Sequence, residues 1–77
     1  MINVVASWDR ETGQAIIHLV LDSAQLSATE RRAQVVAAVQ ALEARVDSNR
    51  VEVISGVARS LQDFRDTDRR FLHATGP

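Results

Sequence analysis

The chain has 77 residues, 45% of them hydrophobic and 25% charged, with a formal net charge of −1, nine arginines, no lysine and no cysteine. That balance belongs to a globular chain rather than a disordered one, and near-neutrality gives no overall field to draw in nucleic acid or acidic lipid. Without cysteine there is neither a disulfide nor a thiolate metal site to staple so small a core, so self-association or docking onto another protein is the expected reinforcement.

Such a length fits one small domain over residues 1–77. An arginine-only basic set in an alanine- and valine-rich chain points to a GC-rich genome, bacterial or phage. The start, "MINVVASWDRE", lacks the basic and apolar segments of a signal peptide. The longest apolar run, "AIIHLVL", is far short of the ~20 residues that span a membrane, so no membrane contact and a cytoplasmic location are expected.

Residues 2–8 alternate, with Ile2, Val4, Ala6 and Trp8 on one face, and residues 14–21 are rich in β-branched side chains; both read as strands. Gly13 can take the positive φ of the intervening loop, so the two should form an antiparallel hairpin. A loop over Arg10–Gly13 would pair Trp8 with Ala15, Ala6 with Ile17, Val4 with Leu19 and Ile2 with Leu21, all apolar. The opposite face would carry Asn3, Val5, Ser7, Ile16, His18 and Val20, too apolar for free solvent and too polar for a dry core. It is the first candidate interface.

Residues 27–46 read as a helix. Ser27 and Glu30 have capping-box spacing. Val35, Val39, Leu42 and Val46 form one stripe, widened by Val36 and Ala38, while Ala37, Ala41 and Ala44 leave the outer side small. After the break at "DSNR", the spacing of Val51, Ile54, Val57, Leu61, Phe64 and Phe71 favours a second helix over about 50–74, with Asp68 falling on the stripe and marking a break near 66–68. Gly56 in mid-helix costs about 1 kcal/mol. The alternative is a ββαβα order with a third strand at 51–55, where Val51, Val53 and Ile54 cluster. Gly76 and Pro77 are stop residues. The fold class expected is α+β, a hairpin packed on two helices.

Few residues suggest chemistry. Asp66 and Asp68 form a D-x-D, but residues two apart on a helix do not share a face, and neither a metal nor another cofactor is expected. No serine lies in a G-x-S-x-G elbow, and no phosphate-binding glycine loop is present. The function expected is therefore non-enzymatic: a small adaptor, chaperone or inhibitor of a larger host, phage or plasmid machine, self-associating as a homodimer. Val5, His18, Val20, Trp8 and Arg32 are the candidate partner-binding residues. The alternative is a nucleic-acid-binding regulator using Arg59, Arg65, Arg69 and Arg70, although Asp66 stands at ion-pair spacing from the last two.

Overall fold

The computed structural model describes residues 1–76. Strands β1 (Ile2–Asp9) and β2 (Ala15–Asp22) are followed by helix α1 (Ala28–Arg45), strand β3 (Val51–Ala58), helix α2 (Leu61–Thr67) and a 3-10 turn at Arg69–Phe71. The sheet order is β2-β1-β3, with both neighbours antiparallel to β1. The fold is thus α+β with an N-terminal hairpin, and the element order is the ββαβα alternative.

Strand alternation sorts the side chains of β1 into two layers. Val4 and Ala6 join Ala15, Ile17, Phe64, Phe71 and Ala74 in the main core. Val5 and Ser7, also buried, face the other way. There α1 covers the sheet, with Leu42 buried against it and the Arg31 guanidinium reaching down to Asn3 Oδ1 at 3.1 Å. The capping box at its start is formed by Ser27 and Glu30, each accepting the other's backbone N–H.

The hairpin register runs as expected from Trp8–Ala15 to Ala6–Ile17 and then shifts. Val5 pairs with Leu19, Val4 with Val20 and Ile2 with Asp22, in place of the expected Val4–Leu19 and Ile2–Leu21. His18 is left over as a β-bulge, and one extra residue reverses the alternation beyond it. Val20 therefore belongs to the main core, against which it packs, and not to the opposite face.

The helix expected over 50–74 is replaced. Residues 51–58 are a strand, longer than the 51–55 of the alternative, paired with β1 from Val51–Asp9 to Ala58–Ile2. A helix would have used only one stripe of "VEVISGVA". A strand sends Ile54 and Ala58 into the main core and Val51, Val53 and Val57 to the α1 side, and bonds the whole segment to β1. Gly56, a cost in a helix, here lies opposite Val4, and a Cβ on it would meet Phe64 Cε1 at 3.7 Å.

Helix α2 opens on Ser60, whose hydroxyl accepts from Asp63 N, and closes at Asp68. The Asp68 carboxylate then accepts from Arg70 N at 3.2 Å and starts the 3-10 turn. The break brings Phe64 and Phe71 together, ring centroids 5.3 Å apart and tilted by 41°. Past the turn, Thr75 lies along β2, donating to Ala15 O at 3.1 Å and accepting from Ile17 N at 2.8 Å. Gly76 permits this contact: its φ is +105°, and a Cβ there would sit 2.1 Å from Ile17 O. Pro77 lies outside the described residues.

Candidate functional site

Of the residues singled out for partner binding, Val5 is fully buried between β1 and α1, and Val20 is in the core, so the mixed sheet face is not an open surface. The helix that the sequence placed in the fold covers that face. Trp8 is half-buried against the core, with the Arg70 guanidinium 5.4 Å from its ring centroid. Arg32 is exposed, and its neighbour Arg31 is the one that reaches across to the sheet.

His18 shares a 2.7 Å hydrogen bond with Ser7, Nε2 to Oγ. A half-open recess of about 250 Å³ adjoins them, lined also by Ile16, Leu42, Arg45 and Val46. A serine and a histidine at this distance invite a catalytic reading. Burial first, and then the Arg45 guanidinium, hold the imidazole below a histidine's usual range, so the neutral ring is favoured. The third group that stabilises the imidazolium in a catalytic triad has no counterpart among the causes of that shift, which favour the neutral ring. The pair satisfies a buried hydroxyl under α1. A histidine whose folded pKa is lowered binds its proton less tightly than the unfolded chain does, so stability is level above pH 6.5 and falls as pH drops through and below that value. Thermal melts from pH 7.5 to 5.5 should show this decline, and His18→Gln should flatten it.

The four arginines of the C-terminal segment differ in their surroundings. Arg70 is held in a fork by Asp68, at 3.0 and 2.7 Å, and bonds Glu52 at 2.7 Å. The hydrogen bonds from Arg70 hold the Asp68 carboxyl below its usual range. Arg59 and Arg69 are exposed, and Arg65 is half-buried. The D-x-D does not converge either, because Asp66 accepts from Gln62 at 2.9 Å while Asp68 serves Arg70. Among the described residues no group of three or more His, Cys, Asp or Glu side chains is placed to hold a metal ion. No described helix is long and apolar enough to cross a membrane.

What stands unpartnered is the outer edge of β3. Arg10 N donates to Arg50 O at 2.8 Å, which sets the phase of the β1–β3 ladder. In an antiparallel ladder alternate residues exchange both bonds with one neighbour. Residues 52, 54, 56 and 58 therefore spend their N–H and C=O on β1, while Val53, Ser55 and Val57 point theirs outward. Val51 N, of the same outward set, is taken by Asp47 O at 2.8 Å. No described residue bonds the outward groups of Val53, Ser55 or Val57. The other edge differs: Thr75 bonds Ala15 O and Ile17 N, and the bulge at His18 interrupts the row.

Apolar surface follows the same edge. Val57 is 61% exposed. On the α2 side, Ile54, Gly56, Ala58, Phe64 and Thr67 line a half-open recess of about 290 Å³, with Asp63 and Asp68 at its rim. An uncovered strand free of lysine and proline is a template for another strand. Sequence reasoning did not include Val53, Ser55 and Val57 among the site residues, because helical spacing was preferred there. The two-residue alternation of "VEVISGV" was the available signal.

The chain matches no protein-family model, no curated protein and no solved structure.

Proposed function

We propose that the protein is a small non-enzymatic interaction module that acts by strand addition, its β3 edge pairing with an extended strand of another polypeptide. The unbonded row at Val53, Ser55 and Val57 carries this reading. Main-chain hydrogen bonds would supply affinity, and side chains alternating into the recess beside Phe64 would supply specificity. Work as an adaptor or inhibitor within a larger assembly suits a chain that spends most of its apolar residues on a marginal core.

The test is Val57→Asp. The side chain is exposed, so the fold should persist by circular dichroism, while a charge at the edge opposes pairing. Whatever complex the protein forms, with itself or with a protein captured from its host, should weaken at least tenfold. Full retention of every such complex by the folded variant overturns the proposal. A nucleic-acid role is less well supported by the structure, because Arg70 is already committed to Asp68 and Glu52.

A further inference from the structure

Resting on the strand-addition reading, we infer that the strand received by β3 is β3 of a second copy, paired antiparallel about a two-fold axis at Ser55 to give a continuous six-stranded sheet.

Parity selects the registers to be compared. Opposed residues in an antiparallel pair share a face, and only odd-numbered residues of β3 have outward hydrogen-bonding groups. A two-fold axis must then pass through a residue, and overlap of the eight-residue strand is greatest with the axis at Ile54 or Ser55. With the axis at Ser55, Val53 meets Val57 of the second copy, and Val57 meets its Val53. The exposed valine is covered twice over by symmetry. Ser55 faces Ser55, so two small hydroxyl side chains meet on the axis.

On the α2 side the same register sets Ile54 of each copy opposite Gly56 of the other. Gly56 has no side chain, and the recess above Phe64 lies beside it. A large residue thus meets an empty position. Placing the axis at Ile54 instead crowds two isoleucines together and sets Glu52 against Gly56. Arg59, exposed just beyond β3, comes up beside Val51 of the other copy, near a recess of about 400 Å³ lined by Glu43 and also by Arg10, while Glu52 beside it is already paired with Arg70 and Arg10.

The edges also explain why such pairing would stop at two. On the β2 edge Thr75 bonds Ala15 O and Ile17 N and the bulge at His18 breaks the row, so only a short stretch around Val20 is left open there. Joining β3 to β3 consumes the open edge of both copies, so the contact is isologous and closed.

Sedimentation equilibrium of the full chain, from 5 to 500 μM, should give twice the 8.5 kDa chain mass at the upper end, and Val57→Asp should return it to one. Register is read by single cysteines, since the native chain has none. Opposed Cα atoms in a hydrogen-bonded antiparallel pair are about 5.5 Å apart, within disulfide range. Ser55→Cys should therefore oxidise to a covalent dimer several-fold more completely than Val57→Cys, whose two-fold mate lies four residues further along the strand. A chain of single mass throughout overturns the inference, as does a dimer in which Val57→Cys cross-links as readily as Ser55→Cys. If a monomer nonetheless binds a host protein and Val57→Asp abolishes that binding, the strand-addition reading stands and only the second copy is wrong. If neither complex depends on Val57, both fall.

Discussion

Replacing Phe71 with alanine is expected to remove a large share of the folding free energy. Its ring is completely buried, lies 5.3 Å from Phe64 and carries the Arg70 guanidinium 5.4 Å from its centroid. It also ties the last turn, which has few backbone bonds of its own, to Val4, Ala15 and Ile17. Truncating a core phenylalanine costs about 3–5 kcal/mol. A domain of this length holds about 4–12 kcal/mol in total, at roughly 0.05–0.15 kcal/mol per residue. The loss should be greater than the side chain alone suggests in one respect. With the turn released, Thr75 would leave β2 and expose the edge it covers. Urea denaturation at one fixed protein concentration should show the midpoint falling by half or more, and fluorescence of Trp8, the single tryptophan, should report the core opening. A loss below about 1 kcal/mol would mean that Phe71 does not anchor the C-terminal segment.

Much of the architecture was readable from residue pattern because local and tertiary preferences agreed. The hairpin, the start of α1 at Ser27 and the stripe ending in Leu42 and Val46 each have a local cause that tertiary packing reinforces. Two features had no such agreement. The bulge at His18 is invisible to alternation, since "AIIHLVL" is apolar at nearly every position and tolerates a slip of one residue. Only the demand that Val20 and Ile17 both reach the core selects it. Segment 51–58 carried two periodicities at once. The spacing of Ile54, Val57, Leu61 and Phe64 imitates a helix, yet Ile54 and Val57 lie on opposite faces of a strand. Phe64 and Phe71, seven apart, do meet, but across the break that Asp68 caps and not along one helix.

The candidate site followed from those two features. An edge is a property of the sheet, so β3 had to be known as a strand before its outward groups could be counted. The mixed face of the hairpin, too apolar for free solvent, reads as a candidate partner interface. Its cover is α1 of the same chain, drawn over Val5 and pinned by Arg31 to Asn3. Arg31 and Arg32 stand about 100° apart on a helical wheel and flank the Val35–Val39–Leu42–Val46 stripe on its two sides, so the wheel alone does not tell which one reaches the sheet.

Val5→Asp and Val57→Asp put the same change on the same face of the sheet, and their outcomes should be opposite in kind. Val5 is sealed beneath α1, and the polar groups beside it on that face are occupied, Asn3 by Arg31 and Ser7 by His18. An unpaired carboxylate there has no water and no donor, which costs several kcal/mol or forces the group to stay protonated. At pH 7 the variant should be largely unfolded. Because the buried carboxyl would bind its proton more tightly folded than unfolded, the variant should regain stability relative to the parent as pH falls toward 4. Val57 is 61% exposed, so a carboxylate there keeps its hydration, and the fold should lose no more than about 1 kcal/mol. The effect should appear instead in assembly. If Val5→Asp remained folded at pH 7 with native-like melting, α1 would not be packed on the sheet as described, and the hairpin's mixed face would again be a candidate surface. If it unfolds while Val57→Asp folds and dissociates, the interacting surface is the edge of β3 and not the face of β1.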